Sequence, residues 1–547
     1  MPLVGDTGRE TAWTCVERTI GMVDDNPRAA LSDGQESQQP RPGDPYMIRC
    51  NIPSGRLTAE QYLLLDGVAA RHMQGSLRIT ARYNLQLHGT LAGNRRDTIE
   101  RLAVELRPLL SGGDAVGRPI MCCPAPVADS AHASVHAVAR QLSDHLLGPT
   151  IAAYEIWCGG EKIAESQGGG GQGSDAAGDA RPSMHFKIGI AAPGDNCIDV
   201  YTHDLGLVPV VQGGVLAGFN VLVGGSMGMA PHRPDAFPRL AEPFTFVAPS
   251  QVLPVVDQIM AIEREAAAQE RRQHGRFKHL ISAWGVERLR AELEGRLGTH
   301  LRDAVATPAA ELNLHLGWHP QHDDRWYLGL SIENGRIHDQ GSLRLRTGLR
   351  EVATRFRPGV CLTPNQDLLL TGLSTAHRVE VEARLRAYGI PWPDELSMVR
   401  RYAMACPARP SCGHAVAEAE RLLPTIIDQF EAVFAQLGIA DECLSIRMNG
   451  CSFGCTRPFI ADLAFVGDAH DRYSVFLGGR SDGTRVNWLF RELVPGEALV
   501  ETVLPILVFF KHVRMPGETF GDFCTRVGRG ALQRCRSQCG DESRPGC

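Results

Sequence analysis

The chain has 547 residues, a formal net charge of −6, and a composition that is 43% hydrophobic and 22% charged. These proportions suit a globular protein with several domains and sizeable cores. The negative balance speaks against a general nucleic-acid binder, which would carry a basic face.

The first residues, MPLVGDTGRETAW, lack the apolar core of a secretory signal, and the most apolar run, Val503–Phe510, is short and broken by Pro505. A bilayer-spanning helix needs about 20 apolar residues, so no membrane segment is expected. The 16 cysteines then read as thiols and ligands, with the cytoplasm as the expected compartment.

In chain order, residues 1–45 are polar and rich in Asp, Gln and Pro, and read as an extended arm. A strand, a helix (LTAEQYLLLDGVAARHM) and a second strand with alternating apolar positions follow. Glu165–Ser183 is Gly-rich and reads as a flexible loop. The run VGGSMGMA at 223–230 suits close backbone approach to an anion but does not match a dinucleotide-binding fingerprint. His315, His319 and His322 superficially suggest a metal triad. Gly317 and Pro320 forbid the helix that would align them, so a strand and hairpin loop is expected instead.

Near the middle of the chain the first pattern returns. IPSGRLTAEQ at Ile52 matches IENGRIHDQG at Ile332, and LRITARYNLQLHG at Leu77 matches VCLTPNQDLLLTG at Val360. Offsets of 280 and 283 residues imply a pseudo-twofold architecture with a site between the halves.

Cys406 and Cys412 form a C-x5-C pair, and Cys451 and Cys455 a C-x3-C pair. Two tight pairs of thiolates suit a cubane iron–sulfur cluster, in which each iron takes one sulfur. Tetrahedral zinc is the competing ligand reading, although C-x5-C is more open than a zinc knuckle, and coincidence stays open as well. Cys535, Cys539 and Cys547 lie in a tail, 531–547, expected to be loose and polar; Cys122 and Cys123 read as core thiols or as lining of a pocket.

The C-x5-C pair followed by N-G-C-x2-G-C-x-R resembles the signature of the sulfite and nitrite reductase hemoproteins, and the resemblance extends from about residue 45 to residue 530. It includes the half-chain repeat, FNVLVGG at 219–225 and the late GETFGDFCTRVG. The resemblance implies an α+β fold with two small ferredoxin-like halves, 46–115 and 309–392. It adds two larger α/β domains, 116–308 and 393–530, that hold siroheme and a [4Fe–4S] cluster. Cys406, Cys412, Cys451 and Cys455 would bind the cluster, and Cys455 would bridge to the siroheme iron. Arg82, Arg118, His185 and Lys187 would bind the substrate oxyanion and supply protons, with Arg78, Arg447 and Arg457 on the siroheme carboxylates.

Arg82 corresponds to Asn365 in the repeat, an asymmetry that fits one working site and one vestigial one. Lys187 favours sulfite over nitrite within the family. His185, Phe453, Thr456 and the pair Gly413-His414 depart from the usual pattern, which implies a retuned centre. His185 is expected to contribute a titratable charge, and Phe453 to keep water from the cluster. The implied activity is six-electron reduction of sulfite to sulfide. Nitrite reduction to ammonia, or a siroheme-free corrin-pathway oxidoreduction, is the alternative. No flavin or NADPH module is evident, so electrons are expected from a partner protein, a flavoprotein reductase or a ferredoxin.

Overall fold

The computed structural model describes residues 22–24, 45–50, 52–72, 75–90, 120–127, 129–147, 155–158, 161–165, 186–229, 236–269, 276–308, 311–321, 324–412 and 414–539. The repeat seen in the sequence becomes two small sheets that exchange strands. The first runs Met22–Asp24, Pro45–Cys50, Leu85–Thr90, Leu77–Ile79 and then Arg336–Ile337 from the other half. The second runs Gly317–Pro320, Arg325–Leu330, Leu368–Ser374, Gly359–Leu362 and then Arg56–Leu57 from the first half. Arg56 and Arg336 are the offset-280 pair, so the exchange is reciprocal.

The turn before each exchanged strand explains the repeated S/N-G dipeptide. Ser54 and Asn334 sit at φ 53° and 51°, and Gly55 and Gly335 at +66° and +74°. A Cβ on Gly55 would lie 2.8 Å from the Leu362 carbonyl oxygen, and one on Gly335 would lie 2.3 Å from that of Ile79. Leu362 and Ile79 are themselves an offset-283 pair. Glycine is required at both turns for its conformation and for the close approach.

The helices Ala59–His72 and Leu345–Phe356 cover the joined sheets and share one core with them, built from Leu65, Val68, Leu87, Val352, Leu370 and Leu385 among others. Asp66 is buried at this seam, paired with Arg346 at 2.5 Å and Arg350 at 2.5 Å.

Two larger units repeat as well, and no sequence match announced it. In one, Ile120–Cys122, Ile188–Ile190 and Leu205–Gln212 run parallel, and Val215–Val223 and Glu242–Val247 extend the sheet antiparallel. In the other, Ala403–Ala405, Ile446–Asn449 and Leu463–Ala469 are parallel, with Arg472–Leu477 and Trp488–Pro495 antiparallel. Ile188 pairs with Leu205 as Ile446 pairs with Leu463, an offset of 258 in both.

Helices Ser130–Leu147, Val252–Gln269 and Phe277–Leu297 pack on the first sheet, and Leu423–Leu437, Leu499–Val513 and Phe520–Val527 on the second. The mixed helices and sheets make the fold α+β at the level of the chain. The tail departs from expectation: Arg529–Cys539 is helical, with Leu532 fully buried in the second unit's core. No helix among the described residues is long and apolar enough to cross a membrane.

Candidate active site

The parallel strands Ala403–Ala405 and Ile446–Asn449 are neighbours in register, with Ala405 opposite Met448. Their carboxyl ends therefore deliver Cys406 and the N-G-C loop side by side, where an open α/β sheet places its ligands. The Cys406 N–H donates to the Met448 carbonyl at 3.1 Å. The Gly450 N–H donates to Cys406 Sγ at 3.2 Å.

The intervening loop turns back through Cys412 N–H to the Ala408 carbonyl at 2.7 Å. It is then pinned by the Val416 and Ala417 N–H groups on the Gly450 carbonyl, at 2.9 and 3.1 Å. A Cβ on Gly450 would lie 2.5 Å from the Ala417 carbonyl oxygen, so the glycine of N-G-C is what lets the two cysteine loops touch.

The four thiols lie within electrostatic reach of one another through Cys406 and Cys451. Cys406 feels Cys455 and Cys451, and Cys451 feels Cys455 and Cys412. Burial pushes the Cys406 thiol well up, and it pushes Cys451 up to about 12, with Cys455 and Cys412 adding to the rise. Cys406 and Cys451 therefore stay protonated as bare thiols, and a cationic centre bound beside them would hold them as thiolates. Cys406 and Cys451 are buried, Cys412 is half-buried and Cys455 is exposed.

Cys455 is held from behind. With its amide oxygen toward the Cys455 N–H at 2.8 Å, Asn449 donates to Thr456 Oγ1 and to the Met448 carbonyl. Thr456, one of the departures noted in sequence, is thus fully buried and hydrogen-bonded. Phe453, another, is 40% exposed and meets the His414 ring edge-on, so it does not seal the cluster loop by its own burial. The glycine-rich run packs on this loop: the Met229 N–H donates to the Ser452 carbonyl at 2.9 Å, and Ser452 Oγ to the Met229 carbonyl at 3.0 Å. Close backbone approach is indeed its use, but to the cysteine loop.

Lys187 senses Cys455 and sits among further cations. Lys187 precedes the strand Ile188–Ile190 and feels Arg82, Arg276, Asp204 and Cys455. Burial, then Arg82 and Arg276, lower its pKa to about 8, with Asp204 and Cys455 pulling the other way. Arg82 projects from the turn after Leu77–Ile79, where the Tyr83 N–H donates to the Thr80 carbonyl at 2.9 Å. The structure thus brings Arg82, Lys187 and Cys455 into one electrostatic neighbourhood. Arg118 and His185 lie outside the described residues.

The sequence reading missed two members of the site. Arg276 donates to Ser226 Oγ at 2.7 Å and pairs with buried Asp204 at 3.5 Å. Its Nε is buried without a partner among the described residues. His203 is buried, and burial followed by Arg82, Arg457 and Lys187 lowers its pKa to about 3, which keeps it neutral. Neither lies in a motif, and only the fold brings them to Lys187.

The three arginines expected on siroheme carboxylates have other partners. Arg447 is buried and pairs with buried Asp199 at 2.9 Å, and Arg457 pairs with the same carboxylate. Arg457 also donates to the Ala81 carbonyl at 3.0 Å and the Pro364 carbonyl at 3.1 Å. Arg78 pairs with Glu420 at 2.9 Å and donates to the Ala405 carbonyl at 2.8 Å, immediately before Cys406. Each is partnered inside the protein, as a buried guanidinium requires, although the Nε atoms of Arg78 and Arg447 have no hydrogen-bond partner among the described residues. These contacts tie the arginines to the cysteine loops.

Arg82 and Arg276 lie in electrostatic reach of Lys187, which also senses the exposed thiol of Cys455, and this concentration of positive charge suits a polyanionic group. Of the three histidines near residue 315, His319 stacks on Tyr327 and contacts the Leu316 carbonyl, His315 turns inward, and His322 is outside the described residues. No triad forms among those described.

Comparison with known proteins agrees with this geometry. A family model described as the nitrite/sulfite reductase ferredoxin-like half domain matches residues 38–104 and 319–388, the two exchanged halves. The nitrite and sulphite reductase 4Fe-4S domain model matches residues 151–301, in the first large unit. The chain is 37% identical over 494 residues to the sulfite reductase (NADPH) hemoprotein beta-component of Geobacillus kaustophilus, covering 90% of this chain and 86% of that one. It is 37% identical over 507 residues to the sulfite reductase (ferredoxin) of Synechococcus elongatus, covering 89% and 81%.

Among solved structures, the Mycobacterium tuberculosis NirA protein shares the fold with a TM-score of 0.67 at 20% identity, over 89% of this chain and 85% of that one. With more than a third of its residues shared over nine-tenths of its length, the chain belongs to the nitrite and sulphite reductase family.

Proposed function

We propose that this chain is the catalytic subunit of a sulfite reductase, converting sulfite to sulfide at siroheme coupled to a [4Fe–4S] cluster. The observation that carries the reading is the exposed Cys455 thiol, backed by three further cysteines and faced by Lys187. Cys406, Cys412, Cys451 and Cys455 would hold the cluster, and Cys455 would couple it to siroheme. Bound there, the two groups supply an iron for the substrate and electrons delivered one at a time.

The protein residues supply charge and protons. Arg82, Lys187 and Arg276 neutralise an incoming oxyanion in a pre-built field, which spares reorganisation during reaction. Each sulfite oxygen leaves as water, so protons must arrive at the same place repeatedly. Lys187, its pKa lowered to about 8, is a donor matched to neutral solution. Arg118 and His185 belong to the same proposed pocket by resemblance. Asp204 orients Lys187 by accepting its backbone N–H at 3.0 Å.

The electron donor is a partner protein, a flavoprotein reductase or a ferredoxin, and the free thiols suit a reducing cytoplasm. Steady-state turnover with sulfite and with nitrite, using a dye or protein donor, tests the reading. Sulfide formation with the higher kcat/KM for sulfite is expected; faster ammonia formation from nitrite would reassign the substrate.

A further inference from the structure

The large units repeat at fixed offsets, and the positions of two cluster cysteines have counterparts in the first unit. Ile120 pairs with Ile188 as Ala403 pairs with Ile446, so the residue after the strand Ile120–Cys122 is Cys123, the counterpart of Cys406. The offset of 258 carries Cys455 onto Cys197. Each lies two residues before a left-handed residue, Asp199 at φ 53° and Arg457 at φ 54°, that opens a short 3-10 turn.

The first unit therefore holds two thiols in the places of Cys406 and Cys455. Around them the other two cluster positions are not cysteines. Asp195 and His315 complete a buried quartet with Cys123 and Cys197, whose ligand atoms all lie within 4.8 Å of one another.

These ligand atoms are in hydrogen-bond contact, and the His315–Asp195 pair would open by a few tenths of an ångström to admit an ion. Cys123 Sγ is 3.3 Å from His315 Nε2 and 3.5 Å from Asp195 Oδ2, and His315 Nε2 is 3.0 Å from Asp195 Oδ2. A tetrahedral zinc with bonds of about 2.3 Å to sulfur and about 2.0–2.1 Å to nitrogen and oxygen sets ligand–ligand edges of about 3.3–3.8 Å.

The carboxylate is pre-aimed. Asp195 Oδ1 accepts the Cys197 N–H at 2.8 Å and the Asn313 N–H at 3.2 Å, which leaves Oδ2 for the centre. His315 is held at φ 57°, and a Cβ on Gly329 would meet its carbonyl oxygen at 1.9 Å. Backbone strain of this kind persists where surroundings fix a side chain in place. With only two cysteines among its four donors, the set does not suit an iron–sulfur cube, which takes four.

We propose that Cys123, Asp195, Cys197 and His315 bind one zinc ion, a second metal centre related to the cluster site by the pseudo-twofold axis. Binding releases two protons to solvent, one from Cys197 and one from the Cys123–His315 pair, and leaves two thiolates, a neutral His315 and an ionised Asp195. The ion ties the strand end at Cys123, the 195–199 loop and the entry to the second half-domain into one unit, around an apolar junction that includes Ala125, Ile198 and Tyr327. Two residues on, Asp199 grips Arg447 and Arg457, so the site braces the far side of the Cys455 loop.

Elemental analysis of the intact holoprotein, expressed with zinc in the medium and dialysed against a mild chelator, tests this. About one zinc per chain is expected, with sulfur neighbours at about 2.3 Å and nitrogen or oxygen neighbours at about 2.0–2.1 Å at the zinc absorption edge. In Asp195→Asn, which retains both backbone hydrogen bonds, and in Cys123→Ser with Cys197→Ser, zinc should fall at least tenfold while bound iron stays. Wild-type protein with less than about a tenth of a zinc per chain would overturn the proposal, as would zinc that persists in Asp195→Asn.

Discussion

Lys187 stands where burial and two arginines work against its own charge, and that tension makes it useful. With its pKa lowered to about 8, the side chain is cationic below that pH and neutral above it. Binding of an oxyanion and proton delivery both need the cation, so kcat/KM for sulfite should fall as pH rises through about 8. Lys187→Met should lower kcat/KM by about 10²–10⁴-fold. Lys187→Arg should lose the alkaline limb, because arginine holds its proton throughout. A pH–rate profile of the three proteins checks both statements.

A second residue shows the opposite linkage. Burial raises the carboxyl of Asp367 to about 8, although its Oδ1 accepts the Ile332 N–H at 3.0 Å. The folded protein holds a proton there that the unfolded chain releases near pH 4, so this group's contribution to stability falls as pH climbs from about 4 to about 8. The pseudo-repeat contains the remedy. Asn84, 283 residues earlier, accepts the Ile52 N–H at 3.1 Å with an amide. Asp367→Asn should flatten the pH dependence of the melting temperature over that interval and raise it at pH 8, by about 2–4 °C for each kcal/mol recovered.

At the scale of elements, the site depends on two loops that touch without side chains between them. Gly450→Ala would drive a Cβ against the Ala417 carbonyl oxygen and part the C-x5-C loop from the C-x3-C loop. The variant should purify with most of its iron and acid-labile sulfide missing while far-ultraviolet circular dichroism stays near wild type.

The cysteine pairs stood out in sequence because their spacing is local, whereas Arg82 and Lys187 were named only through the family resemblance. The pairing of Arg447 and Arg457 with Asp199 was not legible, because Asp199 lies about 250 residues away in another unit. The exchanged strands were equally hidden. Two residues each, they have no periodicity to detect, although the repeat marked the turns that launch them.

At the scale of the whole molecule, Arg457 joins all the units. It rises from the cluster unit, pairs with Asp199 in the other large unit, and donates to Ala81 in the first half-domain and Pro364 in the second. Arg78 and Gln366, one from each half-domain, both donate to the Ala405 carbonyl beside Cys406, at 2.8 and 3.0 Å. The pseudo-twofold body therefore acts as a clamp on one asymmetric site.

Removing one partner strands a buried charge, so Arg457→Met should cost about 3–5 kcal/mol and separate the unfolding of the halves from that of the cluster unit. Denaturant titration followed by tryptophan fluorescence and by cluster absorbance should then give two midpoints in place of one. The second large unit's likeness to the first escaped the sequence because it lives in strand order and backbone conformation, with Cys123 and Cys197 as its main chemical traces.

The central claim is that Cys455 joins a cysteine-held cluster to siroheme beneath a cationic pocket made for sulfite. The optical spectrum of purified protein, recorded before and after sulfite is added to the reduced form, tests it most directly. Siroheme and iron–sulfur absorption should both be present, and sulfite should shift the siroheme bands in wild type but far less in Lys187→Met. A spectrum with cluster absorption and no siroheme bands would contradict the account.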